Sequence, residues 1–221
     1  MEDGRKKVFP LVKDQMETIY RSLPPEEIPW IRETPPDALL DLVRTERIKP
    51  CKTIELGCGT GNTLLDLARA GFDATGVDIS PAAIEMARKS ASEKKVKCEF
   101  LVADVLGDMA EIRGTFDFAY DWELLHHIFP PDREKYGKNV YRLLNPEGWY
   151  LSVCFSEESP QFGGKGKVRK TPLGTVLYFS SERELATLFE PLFAIEELKT
   201  IDIMGKYAPH KAIYVLMRKA R

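Results

Sequence analysis

Apolar positions along the chain change their period several times, and each change marks an element. Short apolar runs near 52–56, 73–78, 97–103, 116–120 and 148–154 read as buried strands, while 62–70, 81–92 and 133–144 carry apolar residues at helical spacing. The second of these helices has a defined start, with Ser80 as N-cap and Pro81 at the first helical position. The third ends at Asn145-Pro146-Glu147-Gly148, where proline and glycine stop a helix and turn the chain into the fifth strand. Strands alternating with helices over short connections predict an α/β fold with a doubly wound, mostly parallel sheet. After the fifth strand a helix near 181–189 precedes two runs rich in β-formers, Phe193 to Ile203 and Ala212 to Met217, joined by a loop with Gly205 and Pro209. Ahead of the first strand, Leu11 to Leu23 reads as an amphipathic helix and Ala38 to Val43 as another.

The 221 residues are ample for one α/β domain with a full core and cramped for two, so the expectation is a single domain over 1–221. Within it, 1–36 reads as an N-terminal helical cap or lid and 155–176 as a candidate substrate loop. Lys and Arg number 32 against 34 Asp and Glu, a net charge of −2 that provides no global basic field for nucleic acid or an anionic membrane. No window has the roughly 18 apolar residues of a membrane span, and Met1 to Lys7 lacks a signal peptide's apolar core, so a cytoplasmic location is expected. Cys51, Cys58, Cys98 and Cys154 form no C-x-x-C pair and have no histidine at zinc spacing, which predicts reduced thiols and no metal site. Monomer and homodimer are both open.

Directly behind the strand residues Thr53-Ile54 and ahead of the helical run Leu64-Leu65-Asp66-Leu67-Ala68 lies Glu55-Leu56-Gly57-Cys58-Gly59-Thr60-Gly61-Asn62. Glycines at the end of a buried strand let the backbone bend sharply and bring its N–H groups close to a bound molecule. The spacing is G-x-G-x-G. The dinucleotide fingerprint wants its third glycine one place later, where this chain has Asn62, so the turn favours a ligand without a pyrophosphate.

This stretch resembles motif I, E-x-G-x-G-x-G, of the class I S-adenosylmethionine-dependent methyltransferases. Gly76-Val77-Asp78-Ile79-Ser80 and Phe100 to Val105 resemble the ends of that family's second and third strands. The resemblance implies a seven-stranded Rossmann-like sheet with a terminal antiparallel strand pair, S-adenosylmethionine as cofactor and S-adenosylhomocysteine as product. It implies that the turn, with Glu55, Gly57, Cys58, Gly59, Gly61 and Asn62, lies beneath the methionyl end of the cofactor. By the same resemblance Asp78 accepts both ribose hydroxyls, Ile79 packs on the adenine, and Asp104 with Val105 meets the adenine edge. For Asp78 and Asp104 a helix-capping role stays open, for Ile79 a core role, and for Glu55 a role limited to anchoring the turn.

The fourth strand region, Asp117 to Ile128, is where cofactor and acceptor are expected to meet. Tyr120 and Asp121 are candidates against the methionyl group, and Trp122 and His127 for the acceptor pocket; the aromatics are equally compatible with core packing. His126 is the candidate general base, since a histidine titrating near neutrality can take an acceptor's proton, with a structural role as the alternative. The segment Ile28-Pro29-Trp30-Ile31 through Pro35-Pro36 resembles the entry segment of thiopurine- and tellurite-resistance-type methyltransferases, which places Trp30 over the cofactor. Trp122 after Asp121 departs from the thiopurine type, which carries arginine there. The late loop holds Lys165, Lys167, Arg169 and Lys170, able to receive an anionic acceptor or simply solvated. The expected activity is in-line methyl transfer to O, N or S of a small molecule. The alternatives are a protein or RNA methyltransferase, a non-catalytic S-adenosylmethionine-binding module and, against the glycine spacing, a nicotinamide oxidoreductase.

Overall fold

The computed structural model describes residues 12–220, so Leu11 and the N-terminal stretch Met1 to Lys7 lie outside the described residues. Two short helices, α1 (Val12–Ser22) and α2 (Asp37–Arg44), lead into β1 (Lys52–Leu56), α3 (Asn62–Arg69), β2 (Asp73–Asp78), α4 (Pro81–Lys94), β3 (Glu99–Val102) and β4 (Phe116–Trp122). Then follow α5 (Pro130–Leu143), β5 (Leu144–Phe155), β6 (Val168–Lys170), β7 (Val176–Tyr178), α6 (Glu182–Phe189), β8 (Phe193–Met204) and β9 (Pro209–Lys219). Seven strands form one sheet in the order β3-β2-β1-β4-β5-β9-β8, parallel as far as β5, with β9 antiparallel to both β5 and β8.

The strand period of two sorts side chains onto the two faces of this sheet. Phe118 and Tyr120 of β4 enter the cluster built on Leu39, Leu64 and Ile84 from α2, α3 and α4. Ala119 between them enters the opposite cluster, with Tyr136 and Val140 of α5 and Leu185 and Phe189 of α6. Helices therefore cover both faces, and the near-continuous apolar runs of the central strands follow from that double burial.

Two local expectations are corrected. The turn Asn145 to Gly148 does not precede the fifth strand but lies inside it, as an irregularity between the Phe116–Leu144 and Phe118–Trp149 pairs, with Glu147 left-handed at φ +65. The late loop contains the antiparallel pair β6–β7, whose short strands are bounded by glycines that mask their pattern in the sequence. Ser80 caps α4 as its position predicts, its hydroxyl accepting from Ala83 N at 3.2 Å.

Candidate active site

The glycine turn joins β1 to α3 at the carboxyl edge of the parallel strands. Gly57, Gly59 and Gly61 are all left-handed, at φ +72, +52 and +73. A Cβ at Gly57 would come within 2.8 Å of Leu124, and one at Gly61 within 2.6 Å of the Phe100 ring. Both conformation and space thus require glycine. Asp78, at the end of β2, fastens the turn: its Oδ2 accepts from Gly59 N and its Oδ1 from Ser80 N, each at 2.9 Å. Burial pushes the Asp78 carboxyl up while these N–H groups pull it back. A carboxylate offers about four acceptor sites. Two are used here, which leaves two for the hydroxyls expected of it, and the capping of α4 falls to Ser80 instead.

The other cofactor candidates line the same edge. Ile79 is half-buried beside Asp78, and Asn62 donates to Arg32 O at 2.9 Å, tying α3 to the N-terminal segment. Asp104 is exposed and its Oδ1 accepts from Leu106 N at 2.8 Å, closing its own turn after β3. The carbonyl of Val105 is held by Asn139 of α5 at 2.8 Å. Cys58 is buried and its thiol pushed well up by desolvation, so it is a small packed residue here; all four cysteines are free.

Trp30 reaches the turn through an intermediary. Its indole Nε1 donates to the Tyr20 hydroxyl at 2.8 Å, and that hydroxyl is 2.7 Å from where a Gly59 Cβ would stand. Glu17, one turn earlier on α1, accepts from Ser80 Oγ at 2.6 Å and Ala82 N at 3.0 Å, docking α1 on the N-terminus of α4. Neither Tyr20 nor Glu17 was singled out in the sequence, because an amphipathic helix does not announce which of its polar residues meets a distant turn.

At the adjoining ends of β1 and β4, Glu55 lies opposite Tyr120 in the strand register. The Tyr120 hydroxyl pulls the Glu55 carboxyl down without forming a full hydrogen bond, and both that hydroxyl and Glu55 Oε2 are buried without a partner. Desolvation, which outweighs this pull, raises Glu55 to about 8. The Trp122 indole N–H is a third buried polar group without a partner.

Asp121 takes a different place from the one expected. On the opposite face of β4, its Oδ2 accepts from the Tyr150 hydroxyl at 2.6 Å and the Tyr136 hydroxyl at 2.9 Å, and its Oδ1 from Ser152 Oγ at 3.2 Å. The alternation of β4 turns it with Ala119 into the core, where burial raises it to about 6 against the pull of those hydroxyls. His126 and His127 sit on a 3-10 turn, Leu125–His127, with ring centroids 4.6 Å apart. His126 is 3% exposed, its Nδ1 has no partner, and desolvation holds it well below its ordinary value. His127 is half-buried and pushed down to about 4 by the same cause.

Two residues passed over in the sequence meet beside them. Glu123, directly after β4, is left-handed at φ +64 and brings its Oε1 to 2.5 Å from His210 Nε2, on β9. Such a conformation costs a non-glycine residue about 1 kcal/mol or more. The available signal was an acid immediately past the fourth strand; its partner lies too far along the chain for any local pattern.

In the late loop, Arg169 is buried and donates to the carbonyls of Glu157, Ser159, Gln161 and Gly166, while Lys167 pairs with Glu157 and Glu184. Of the four candidate cations, only Lys165 and Lys170 are exposed.

Residues 54–148 match the methyltransferase domain family. A ubiquinone biosynthesis O-methyltransferase of Xanthomonas axonopodis pv. citri is 31% identical over 172 residues, 71% of each chain. The chain belongs to the class I S-adenosylmethionine-dependent methyltransferases. A 2-heptyl-1-hydroxyquinolin-4(1H)-one methyltransferase of Mycobacteroides abscessus is 28% identical to this methyltransferase over 173 residues, 75% of each chain. Among the first relatives, the chain spans between 58% and 75% of their own length. A solved structure from echinomycin biosynthesis, concerned with conversion of a disulfide bond into a thioacetal group, shares the fold at 23% identity with a TM-score of 0.80, covering 95% of this chain and 92% of that one. The nicotinamide alternative is thereby excluded, and S-adenosylmethionine is the cofactor. The turn carries no Cβ at three left-handed positions, Asp78 has acceptor capacity to spare, and the Trp122 N–H at the end of β4 is buried without a partner, a donor and acceptor set that fits the cofactor. Among the described residues no helix is long and apolar enough to cross a membrane.

Proposed function

We propose that the methyltransferase transfers a methyl group to a hydroxyl oxygen of a small aromatic molecule. The observation that carries this reading is the similarity to relatives named for O-methylation and for a hydroxyquinolone. The Phe155 ring lies 4.7 Å from the rings of both His126 and His210, with Phe162 at 6.0 Å and Phe179 at 4.9 Å. These rings pack on one another in a buried cluster whose half-buried member is Phe162, the ring left to meet a flat acceptor. The engagement of Arg169 and Lys167 within the protein weighs against a nucleic-acid acceptor.

S-adenosylmethionine supplies a sulfonium methyl that is already activated, so the protein's task is alignment and exclusion of water. In this reading the glycine turn, Asp78 and Asp104 hold the cofactor, and Glu55 supports the turn from beneath. Tyr20, carried by α1, covers the turn with Trp30 behind it. Asp121 stiffens the β4–β5 floor from the core side and touches no ligand. The 155–176 segment and Trp122 border the acceptor, and His127 stands at the pocket's edge.

Calorimetric titration with S-adenosylmethionine and S-adenosylhomocysteine tests the cofactor half. Asp78→Ala is expected to weaken binding at least 100-fold, because two charge-assisted hydrogen bonds at about 1.5 kcal/mol or more each are lost. Incubation with 2-heptyl-1-hydroxyquinolin-4(1H)-one, catechols, aryl amines and aryl thiols, read by mass spectrometry, tests the acceptor half. Methylation confined to amines or thiols refutes the oxygen acceptor, and tight cofactor binding without turnover of any acceptor points to the binding module instead.

A further inference from the structure

We propose that His210 is the general base of the transfer and that Glu123 holds it in its working tautomer, an inference that rests on the hydroxyl-acceptor reading above. The pair is assembled across the sheet. Glu123 leaves the end of β4, and its N–H continues the ladder to Val153 O of β5 at 2.7 Å. His210 stands near the start of β9, the next strand beyond β5. Because β9 runs antiparallel, its start lies at the edge where β1, β4 and β5 end. Leu124, the residue after Glu123, packs against Gly57 of the glycine turn.

The chemistry follows from the contact. An ionised carboxylate only accepts hydrogen bonds, so at 2.5 Å from Glu123 Oε1 the His210 Nε2 carries the ring proton. Nδ1 is then the lone-pair nitrogen. It has no partner among the described residues and is not sealed in, whereas His126 Nδ1 is fully buried. Gly205 leaves its flank clear, since a Cβ there would stand 3.1 Å from Nδ1. The Phe155 ring packs against the imidazole at 4.7 Å and helps hold its orientation. A base oriented by a carboxylate on its far nitrogen is the arrangement that general-base catalysis needs. The acceptor's hydroxyl proton passes to Nδ1, the freed oxygen pair forms the new carbon–oxygen bond, and the pair of the broken carbon–sulfur bond stays on sulfur. The imidazolium formed is balanced by Glu123 and returns its proton to water. The backbone twist at Glu123 gains a purpose on this account: it carries the carboxylate across the end of β5 to His210.

The first test needs no acceptor. Long-range proton–nitrogen NMR of the full chain, with His210→Asn for assignment, is expected to show His210 protonated at Nε2 and bare at Nδ1. The other ionisable groups facing the ring are Glu123 and, across Phe155, His126. Glu123→Gln is expected to mix the two tautomers, because an amide can donate to Nε2 as well as accept from it. A proton on Nδ1 in the wild type, or no change in Glu123→Gln, overturns the proposal. The second test is kinetic. His210→Asn is expected to bind S-adenosylmethionine as the wild type does, and to lower kcat about 100-fold for a catechol while sparing a nitrocatechol already ionised in the assay. Equal losses for the two acceptors overturn the base role, whereas failure of the wild type to bind S-adenosylmethionine or methylate any hydroxyl strikes the underlying reading.

Discussion

Replacing Glu55 with glutamine is expected to make the protein more stable, and increasingly so as pH rises. The carboxyl is buried at 5% exposure, its Oε2 has no partner, and its value is raised to about 8 from an ordinary 4.5, chiefly by desolvation. A group whose folded value lies above its unfolded one contributes stability that is complete below the unfolded value and is lost as pH climbs towards the folded one. Between 4.5 and about 8 the folded chain keeps a proton that the unfolded chain has released. Stability should fall by up to about 1.4 kcal/mol per pH unit across that window, an upper limit of about 5 kcal/mol in all. Glutamine has nearly the same shape, carries no charge, and offers a donor to the Tyr120 hydroxyl. Urea unfolding of both proteins at pH 5, 6, 7 and 8 measures the difference, which should grow steadily in favour of Glu55→Gln. Parallel pH dependences would refute the claim that Glu55 is protonated in the folded state at neutral pH.

Gly61→Ala should destabilise by about 3 kcal/mol, from left-handed strain plus overpacking against the Phe100 ring, measured as a lower urea midpoint at an unchanged slope. Tyr150→Phe removes the 2.6 Å hydrogen bond to buried Asp121 and should cost about 1.5–3 kcal/mol at pH 8, with a smaller loss below pH 6, where the carboxyl is protonated. Glu17→Ala should free α1 from α4, seen as faster proteolysis within 12–22 while the unfolding midpoint of the sheet moves by less than about 1 kcal/mol.

The sheet was legible in the sequence because its strands are buried on both faces and separated by helices with strong signals, such as Ser80-Pro81. The shape of the glycine turn was legible for a related reason: its bend and its tie to Asp78 are set within short stretches where local geometry and chemistry coincide. Asp121 misled because an acid at a strand end reads as a pocket residue unless the hydroxyls awaiting it are known. Tyr136, Tyr150 and Ser152 come from two other elements. Glu123 and His210 are 87 positions apart, and only the order β4-β5-β9 brings them together. The β6–β7 pair escaped notice because three-residue strands carry too little period to separate them from loop.

The reversed direction of β9 also bears on how such an enzyme changes substrate. Its start and the hairpin leading into it lie at the edge where the parallel strands end, and Lys206 and Arg32 bridge that hairpin to the N-terminal segment through Ile28 O and Met204 O. This rim lies outside residues 54–148, the portion matching the family. On the function proposed above, insertions or substitutions in the hairpin would reshape the acceptor's doorway outside the segment that carries the glycine turn and Asp78, so that selectivity and methyl-donor use can evolve as separate traits.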